Sequence, residues 1–322
     1  MKTKKTNKKT NKKISNNCIH DGNNISNVQN VRVVRGKFLC YLLTLIALCS
    51  LLFVSCSSAP KNPGDIDILR SQAETWLESG NKESGQGNFE NALLILTETK
   101  RYAILADDLS LIIRVSLSRG NVLFSLGRDD EAFAEWQQAV SEAELLGNRE
   151  LLSVSRIYLA RGNMISLKAS PQSVLDLVIR ESANIKSNRL YIAFAWQVRG
   201  LTQGSLGLFR DAEESFRKSL AIHLKDKNFE NASFDWFSIA SIRSLSGNNA
   251  QGAIEALEAS IALDRRIENS WGLASSYRAM GDVLRKIGRE AEAIVAYSRA
   301  RTIFAAMGNE QGVAEINERI GN

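Results

Sequence analysis

The feature that most constrains this chain is an internal repeat of about 40 residues. From residue 66 onward, apolar residues recur at spacings of three and four, which is typical of amphipathic helices. An asparagine or aspartate ends a short loop once in every repeat, at intervals of 40, 40, 40, 41 and 40 residues. The six are Asp108, Asn148, Asn188, Asn228, Asn269 and Asn309. Such a chain is expected to stack similar helical units in a row.

Small residues recur inside each unit at two further positions. Glycine or alanine comes twelve residues after each loop residue, at Gly120, Ala160, Gly200, Ala240, Gly281 and Gly321. Alanine comes sixteen residues before each loop residue, at Ala92, Ala132, Ala212, Ala253 and Ala293, with Gln172 as the one departure. The spacing predicts a helix A, a turn, a helix B and a loop, with the small residues where the two helices cross closely. Glycines in the turns are predicted to be left-handed C-caps, and the loop Asn and Asp residues to lie either at a helix C-terminus or at an N-cap.

Aromatic residues complete the pattern. One precedes the small residue of helix A by four positions, at Trp76, Trp196, Trp236 and Tyr277, and another follows the alanine of helix B by four, at Trp136, Phe216 and Tyr297. This arrangement resembles the tetratricopeptide repeat (TPR), in its longer variants of about 40 residues, and the resemblance covers residues 66–322. It implies an all-α, right-handed solenoid of about six helix pairs, with residues 310–321 as a capping helix. Repeat 3 fits least well, because Arg156 and Gln172 hold family positions.

The N-terminal segment differs in charge from the rest. Residues 1–55 hold ten basic residues and one acid, a net charge of +9, which leaves −3 for the remainder of a chain whose total is +6. No nucleic-acid partner is therefore expected. Residues 38–54 are apolar and uncharged and follow a basic stretch, as in a secretory signal peptide. An uncleaved transmembrane anchor is the alternative, although about 17 residues is short for a span.

A cysteine ends the apolar run. The sequence Leu52-Phe53-Val54-Ser55-Cys56 resembles a relaxed bacterial lipobox, which implies that Cys56 is acylated and becomes the new N-terminus. The predicted organisation is a basic segment and lipoprotein signal peptide over 1–55, an acylated cysteine and flexible tether over 56–65, and the solenoid over 66–322. The expected location is the bacterial cell envelope, with the protein lipid-anchored to a membrane and facing the periplasm or the cell surface.

Little in the sequence points to catalysis. The four cysteines all lie at or before residue 56, and His223 is the one histidine beyond it. His223 is predicted to face solvent near a helix C-terminus. Phosphate-loop, zinc-protease and serine-hydrolase motifs are absent from the sequence. We therefore expect a protein that is not an enzyme and that uses no metal and no cofactor.

The resemblance to TPR proteins implies a concave groove lined by the A helices. Its exposed positions, one and four residues after the small residue, give the candidate partner-binding residues Asn81, Asn121, Phe124, Arg161 and Met164. A second candidate is the basic C-terminal end around Arg278 and Arg285. The tryptophans at framework positions are predicted to be core residues.

These observations favour a membrane-tethered scaffold outside the cytoplasm that binds a protein or peptide. Two alternatives remain open at this stage. One is a surface adhesin that binds a host or anionic ligand through the basic end. The other is a transporter-associated TPR lipoprotein.

Overall fold

The computed structural model describes residues 64–321, and every regular element in that range is an α-helix. The predicted signal peptide, the predicted lipidation site Cys56 and most of the predicted tether lie outside the described residues. We number the helices α1 to α13 in chain order. Their bounds are Asp65–Gly85, Phe89–Leu105, Leu109–Ser125, Asp129–Leu146, Arg149–Ile165, Pro171–Ser182, Arg189–Ser205, Phe209–Lys225, Phe229–Leu245, Ala250–Arg266, Ser270–Lys286, Glu290–Ala306 and Glu310–Gly321.

The helices pair as the repeat predicts. Each odd-numbered helix from α1 to α11 is a helix A that packs against the following helix B, and each B packs against the next A. Successive A helices also touch, and α13 packs against α12. The prediction of an all-α solenoid of six helix pairs and a C-terminal helix is confirmed. Within the described range, no helix is both long and apolar enough to cross a membrane.

The loop residues cap the A helices. The side chain of Asn148 accepts hydrogen bonds from the backbone N–H groups of Glu150 and Leu151, both at 3.1 Å. Equivalent bonds form at the other five repeat boundaries, from Asp108, Asn188, Asn228, Asn269 and Asn309. These bonds satisfy amide groups that the helix itself cannot pair, so the periodic Asn and Asp fix where the A helices after α1, and the C-terminal helix α13, begin.

Glycine has two separate uses in the repeat. In the A–B turns, Gly87, Gly127 and Gly207 have φ values of 83°, 72° and 74°, in the left-handed region that the sequence predicts. In the helices, glycine marks a close crossing. A Cβ atom at Gly200 would lie 2.9 Å from the ring of Phe216, and one at Gly281 would lie 2.4 Å from Tyr297. A larger side chain has no room at either position.

The core follows the small and aromatic positions. Trp136 is fully buried, and Phe216 and Tyr297 are 1% exposed. Trp76, Trp196 and Trp236 are only half-buried, so the prediction that the framework tryptophans are core residues holds fully for Trp136 alone among these four.

Repeat 3, formed by α5 and α6, departs from the other pairs. Helix α6 has 12 residues where α8 and α10 have 17 each. Ser170 caps α6 and Pro171 occupies its first turn, as the sequence predicts. Leu167 takes the positive φ, 57°, that glycine provides in the turn of repeats 2 and 4.

Candidate functional site

A groove of about 760 Å³ runs along the inner side of the solenoid. We call it the central groove and define it by six of the side chains that line it, Asn81, Asn121, Tyr158, Tyr191, Phe194 and Gln197. They come from helices α1, α3, α5 and α7. The groove is therefore built from A helices, as expected of this type of solenoid.

Two of the predicted partner-binding residues line this groove. Asn81 on α1 is exposed, and Asn121 on α3 is half-buried. The carboxamide oxygen of Asn121 accepts a hydrogen bond of 2.7 Å from Nη2 of Arg161, which lies one repeat further along. The structure thus brings together Asn121 and Arg161, and Asn81 faces the same groove.

Arg161 lies mainly behind the groove wall. Its guanidinium carbon is 5.5 Å from the ring centres of both Tyr158 and Phe194, whose rings stack 4.0 Å apart. Burial lowers the pKa of Arg161 and raises the pKa of the Tyr158 hydroxyl, although the Arg161 charge partly offsets the latter shift. The arginine therefore supports two aromatic side chains that themselves line the groove.

Two other predicted residues belong to the core instead. Met164 is 8% exposed and packs in the cluster around Trp136, so its prediction as a groove residue is wrong. Phe124 is half-buried, with its ring centre 5.6 Å from that of Trp136 and 6.5 Å from that of Phe133. In repeats 2 and 3 the large apolar side chain four residues after the small residue joins the core cluster that contains Trp136.

The groove residues of repeats 4 and 5 are not among the partner-binding residues predicted from the sequence. There the wall is formed by the first turns of α7 and α9, with Leu190, Tyr191, Glu230 and Asn231. Leu190 is 48% exposed despite being apolar, and burial raises the pKa of Tyr191 to about 12. Each repeat is rotated relative to the previous one, so successive A helices present different turns to the groove. No local pattern in the sequence marks these residues.

A buried polar cluster borders the groove at His223. The prediction that His223 faces solvent is wrong, because the side chain is 2% exposed. Its Nδ1 lies 2.7 Å from Oδ2 of Asp235 and 3.3 Å from the hydroxyl of Ser219, and Gln197 donates to the other oxygen of Asp235. A histidine base that activates serine holds the serine and the acid at opposite ring nitrogens. Here both contact Nδ1, so the geometry is not that of such a relay.

A second cavity of about 440 Å³ adjoins the groove where the first repeat approaches the fifth and sixth. We call it the end cavity and define it by Phe89, Glu230, Asp264 and Trp271. The rings of Phe89 and Trp271 meet edge to face at 5.6 Å. The Glu230 carboxylate lies against Gly85, where a Cβ atom would fall within 3 Å of all three carboxylate atoms. The described range holds no group of three or more His, Cys, Asp or Glu residues that fits a metal ion.

Comparison with known proteins concerns the fold alone. No protein-family model and no curated protein matches the sequence. The Rap conjugation gene regulator of plasmid pLS20, solved with the Phr* peptide, superposes with a TM-score of 0.54 and 14% identity, over 78% of each chain. A Rap protein complexed with Competence and Sporulation Factor gives 0.53 and 16%, over 80% of this chain and 78% of that one. Nearly identical TPR-like repeats of a kinesin light chain-like protein from Podosopora anserina give 0.47 and 18%, over 62% and 97%.

The two Rap likenesses agree with the stacked helix pairs of this chain. The chain has the TPR fold. In this TPR solenoid the central groove is the surface that the fold presents on its inner side.

At the basic C-terminal end of the TPR solenoid, the two predicted partner-binding arginines form ion pairs with glutamates of the same chain. Arg278 contacts Glu315 at 2.6 Å, and Arg285 contacts Glu290 at 2.8 Å. Arg285 also lies over the ring of Tyr297 and donates to the backbone oxygen of Arg319. The sequence shows the arginines as a cluster, but their glutamate partners are five and 37 residues away along the chain.

Proposed function

We propose that this chain is a membrane-tethered TPR scaffold outside the cytoplasm, which binds an extended peptide or protein segment in its central groove. The observation that carries the proposal is the groove itself. It is long enough to involve the A helices of five repeats, and it offers amide, hydroxyl and apolar groups along one continuous wall.

The chemistry of the groove suits a peptide. Asn81 and Asn121 supply carboxamides, which can both donate to and accept from a peptide backbone. Leu190 presents an exposed apolar side chain beside Tyr191 and Phe194. Tyrosine and other aromatic residues are enriched at binding interfaces because they combine a large rigid surface with a polar group.

The structural comparisons support the same kind of ligand. Two of the similar structures are Rap proteins, one complexed with Competence and Sporulation Factor and one with the Phr* peptide. At 14% and 16% identity these complexes indicate only that a fold of this kind can hold such a ligand. The proposal that this chain binds a peptide rests on its own groove residues.

Substitution of the exposed groove leucine tests the proposal. Leu190→Ser removes apolar contact from the groove without opening the core, since the side chain is 48% exposed. Leu145→Ser is the matched control, because Leu145 is 84% exposed on α4 and does not line the groove. We expect Leu190→Ser to weaken capture of peptide partners, with unchanged helicity and melting temperature. Equal capture by both variants would move the site away from the groove.

The membrane location is a separate part of the proposal and rests on the sequence around Cys56. A lipidated cysteine predicts that Cys56→Ala abolishes acylation and leaves an unprocessed precursor. Metabolic labelling with a fatty-acid analogue measures this. Label that survives the substitution would favour another anchor, such as an uncleaved apolar segment over 38–54. Protease treatment of intact cells separates a periplasmic from a surface-exposed protein.

The anionic-ligand alternative gains no support from the basic end. Arg278, Arg285 and Arg289 each contact a glutamate at 2.6–2.8 Å, so their charges are compensated within the fold. The groove is the better candidate for the binding surface.

A further inference from the structure

We propose that the end cavity is a binding site for a guanidinium or alkylammonium group, carried by a basic side chain of the peptide that occupies the central groove. The inference deepens the proposed function and rests on it for the source of the cation. Its basis is the juxtaposition of two carboxylates, one of them buried and incompletely paired, with aromatic side chains in a cavity that adjoins the groove.

Asp264 on α10 supplies the first carboxylate. The residue is 1% exposed and lines the end cavity. Its Oδ1 accepts a hydrogen bond of 3.0 Å from Nδ2 of Asn269, whereas its Oδ2 is buried and has no hydrogen-bond partner among the described residues. Burial raises the pKa of Asp264 to about 6, and nearby Ser233, Asn269 and Ser260 offset only part of that shift. Buried carboxylate oxygens are normally paired, so this one is suited to a donor from a ligand.

Glu230 on α9 supplies the second carboxylate, at the boundary of the cavity and the groove. Burial and the nearby charge of Asp264 raise the pKa of Glu230 to about 7, and no cation of the described chain offsets them. A cation placed between the two carboxylates would relieve both effects, because it replaces repulsion by attraction.

Aromatic rings also line the cavity. Phe89 and Trp271 meet edge to face at 5.6 Å, and Phe234 and Phe237 also line the space. Phe234 is 43% exposed. Guanidinium and ammonium groups bind favourably over such rings, tryptophan above all. Aromatic faces beside the carboxylates suit an organic cation, and the described residues hold no group of three or more His, Cys, Asp or Glu side chains that could bind a metal ion.

The end cavity adjoins the central groove. Ser84, Gly85, Glu230 and Asn231 line both spaces. A peptide lying in the groove could therefore direct one side chain past Glu230 toward Asp264. Arginine and lysine are the long side chains that carry a positive charge.

Other charged groups border Glu230 and set the background for its titration. Arg278 also lines the end cavity but is paired with Glu315 at 2.6 Å. Lys82 and Lys227 line a small neighbouring cleft with Glu230, and neither is close enough to form an ion pair with it in the described structure. The adjoining part of the groove holds Glu78, Arg114 and His223.

The test uses the full chain in detergent and two matched probes. N-acetyl-arginine amide carries the guanidinium, and N-acetyl-citrulline amide has nearly the same shape without the charge. Titration followed by ligand-observed NMR should show binding of the arginine probe and at least roughly tenfold weaker binding of the citrulline probe. Equal binding of the two probes, or no binding of the arginine probe, would overturn the inference.

Variants locate the site. Asp264→Asn and Glu230→Gln should each weaken binding of the arginine probe by roughly tenfold. Glu90→Gln is the control, since Glu90 lies in the same four-residue sequence, Phe-Glu-Asn-Ala, at the start of α2 but is exposed. It should leave binding unchanged. Unchanged binding in both cavity variants would contradict the proposal. If Asp264→Asn does not fold, Glu230→Gln decides alone, because that side chain lies at the cavity boundary.

The pH dependence supplies an independent readout on the unmodified protein. The guanidinium stays charged throughout, whereas both carboxyls must lose their protons to attract it. Binding of the arginine probe should therefore weaken as the pH falls from 8 through about 7 and 6, where Glu230 and Asp264 take up protons. Binding that is constant over this range would count against both carboxylates as ligands.

A peptide experiment separates this inference from the proposed function. Peptides captured in the groove are resynthesised with citrulline for arginine and norleucine for lysine. If they bind as before, and Asp264→Asn also captures them normally, the cation site is wrong and the groove function stands. If the arginine probe binds but the groove captures no peptide, the site stands and the function fails.

Discussion

Repeats 3 and 5 place a glutamate at the same position of helix A, but the two carboxylates have opposite surroundings. Glu150 and Glu230 are each the second residue of their helix, 80 residues apart. Glu150 accepts hydrogen bonds from the backbone N–H groups of Lys186, Ser187 and Asn188, at 2.9–3.1 Å. Glu230 instead borders a cavity beside another carboxylate. The repeat determines the backbone position of each glutamate, and the neighbouring groups determine whether its carboxylate is hydrogen-bonded.

The length of helix B explains the difference. Helix α6 ends at Ser182, so a longer segment returns to α7, and Glu150 binds the backbone of that segment. Helix α10 continues to Arg266 and leaves a short loop before α11. Glu230 is then free to face the turn of the first repeat. In repeat 3, Glu150 therefore binds the backbone of the segment before α7. In repeat 5, the carboxylate of Glu230 faces the end cavity instead.

The largest expected effect is a loss of stability when the close packing of helices A and B is disturbed. That packing sets the repeat register in which Glu150 and Glu230 are equivalent. Gly200 lies in repeat 4, between them, and even a Cβ atom there would lie 2.9 Å from Phe216. Gly200→Leu should lower the stability toward the upper end of about 1–3 kcal/mol, because overpacking forces the helices apart. Thermal unfolding followed by circular dichroism measures it. Ser244→Leu, at the half-buried end of α9, should melt close to the unmodified protein. Equal tolerance of both would show that the register is wrong.

The second prediction addresses the comparison directly. Glu150→Ala should destabilise the protein by about 1–2 kcal/mol, because backbone N–H groups of the 186–188 segment lose their acceptor. Glu230→Ala should cost little or nothing, since it removes a carboxylate that burial and repulsion disfavour. Chemical denaturation gives the free energies, and hydrogen exchange should show faster exchange at residues 186–188 in Glu150→Ala only. Similar losses in both variants would remove the distinction.

The smallest expected effect is in the pH dependence of stability. Burial would raise the pKa of Glu150, but the amides of Asn188, Ser187 and Lys186 and the hydroxyl of Ser187 hold it below its usual value. Its contribution is therefore present above the unfolded-state pKa and is lost as the pH falls through the lower folded-state value. Asp264 behaves in the opposite way, because its pKa is raised from 3.8 to about 6. The native state binds this proton more tightly, so stability falls as the pH rises toward and past 6.

Asp264→Asn removes the loss of stability that accompanies deprotonation of Asp264, because asparagine does not titrate. Relative to the unmodified protein, the variant should gain about 1 kcal/mol or less between pH 5.5 and 7.5, because only part of the titration lies in that interval. Melting temperatures of both proteins across this range measure the difference. A difference that does not change with pH would show that Asp264 is charged to the same extent in both states.

The sequence predicted the frame of the molecule in detail. Periodic Asn and Asp residues marked the boundaries between repeats, and the turn glycines marked the left-handed positions, because both depend on local backbone chemistry. The crossings at Gly200 and Gly281 followed from the pairing of small and aromatic residues. These features repeat, so one sequence contains several copies of each signal.

The site was predicted only in part, since it depends on how the repeats rotate relative to one another. Asn81 and Asn121 were placed on the inner side correctly. Met164 was not, because its side chain packs in the core cluster that contains Trp136 of the preceding repeat. His223 was expected in solvent and is buried, because its partner Asp235 lies on another helix and is itself bound by Gln197 of a third helix. Contacts between the first repeat and Trp271 span more than 180 residues and leave no local signal.

Site-specific photo-crosslinking tests the central claim most directly. A photoreactive amino acid replaces Leu190 in the groove or Leu145 on α4 in the full chain, and membranes are irradiated before peptides bound to each variant are identified. The groove account predicts crosslinked peptide at position 190 and little at 145. Crosslinking that is equal at the two positions, or confined to 145, would contradict the central groove as the binding surface.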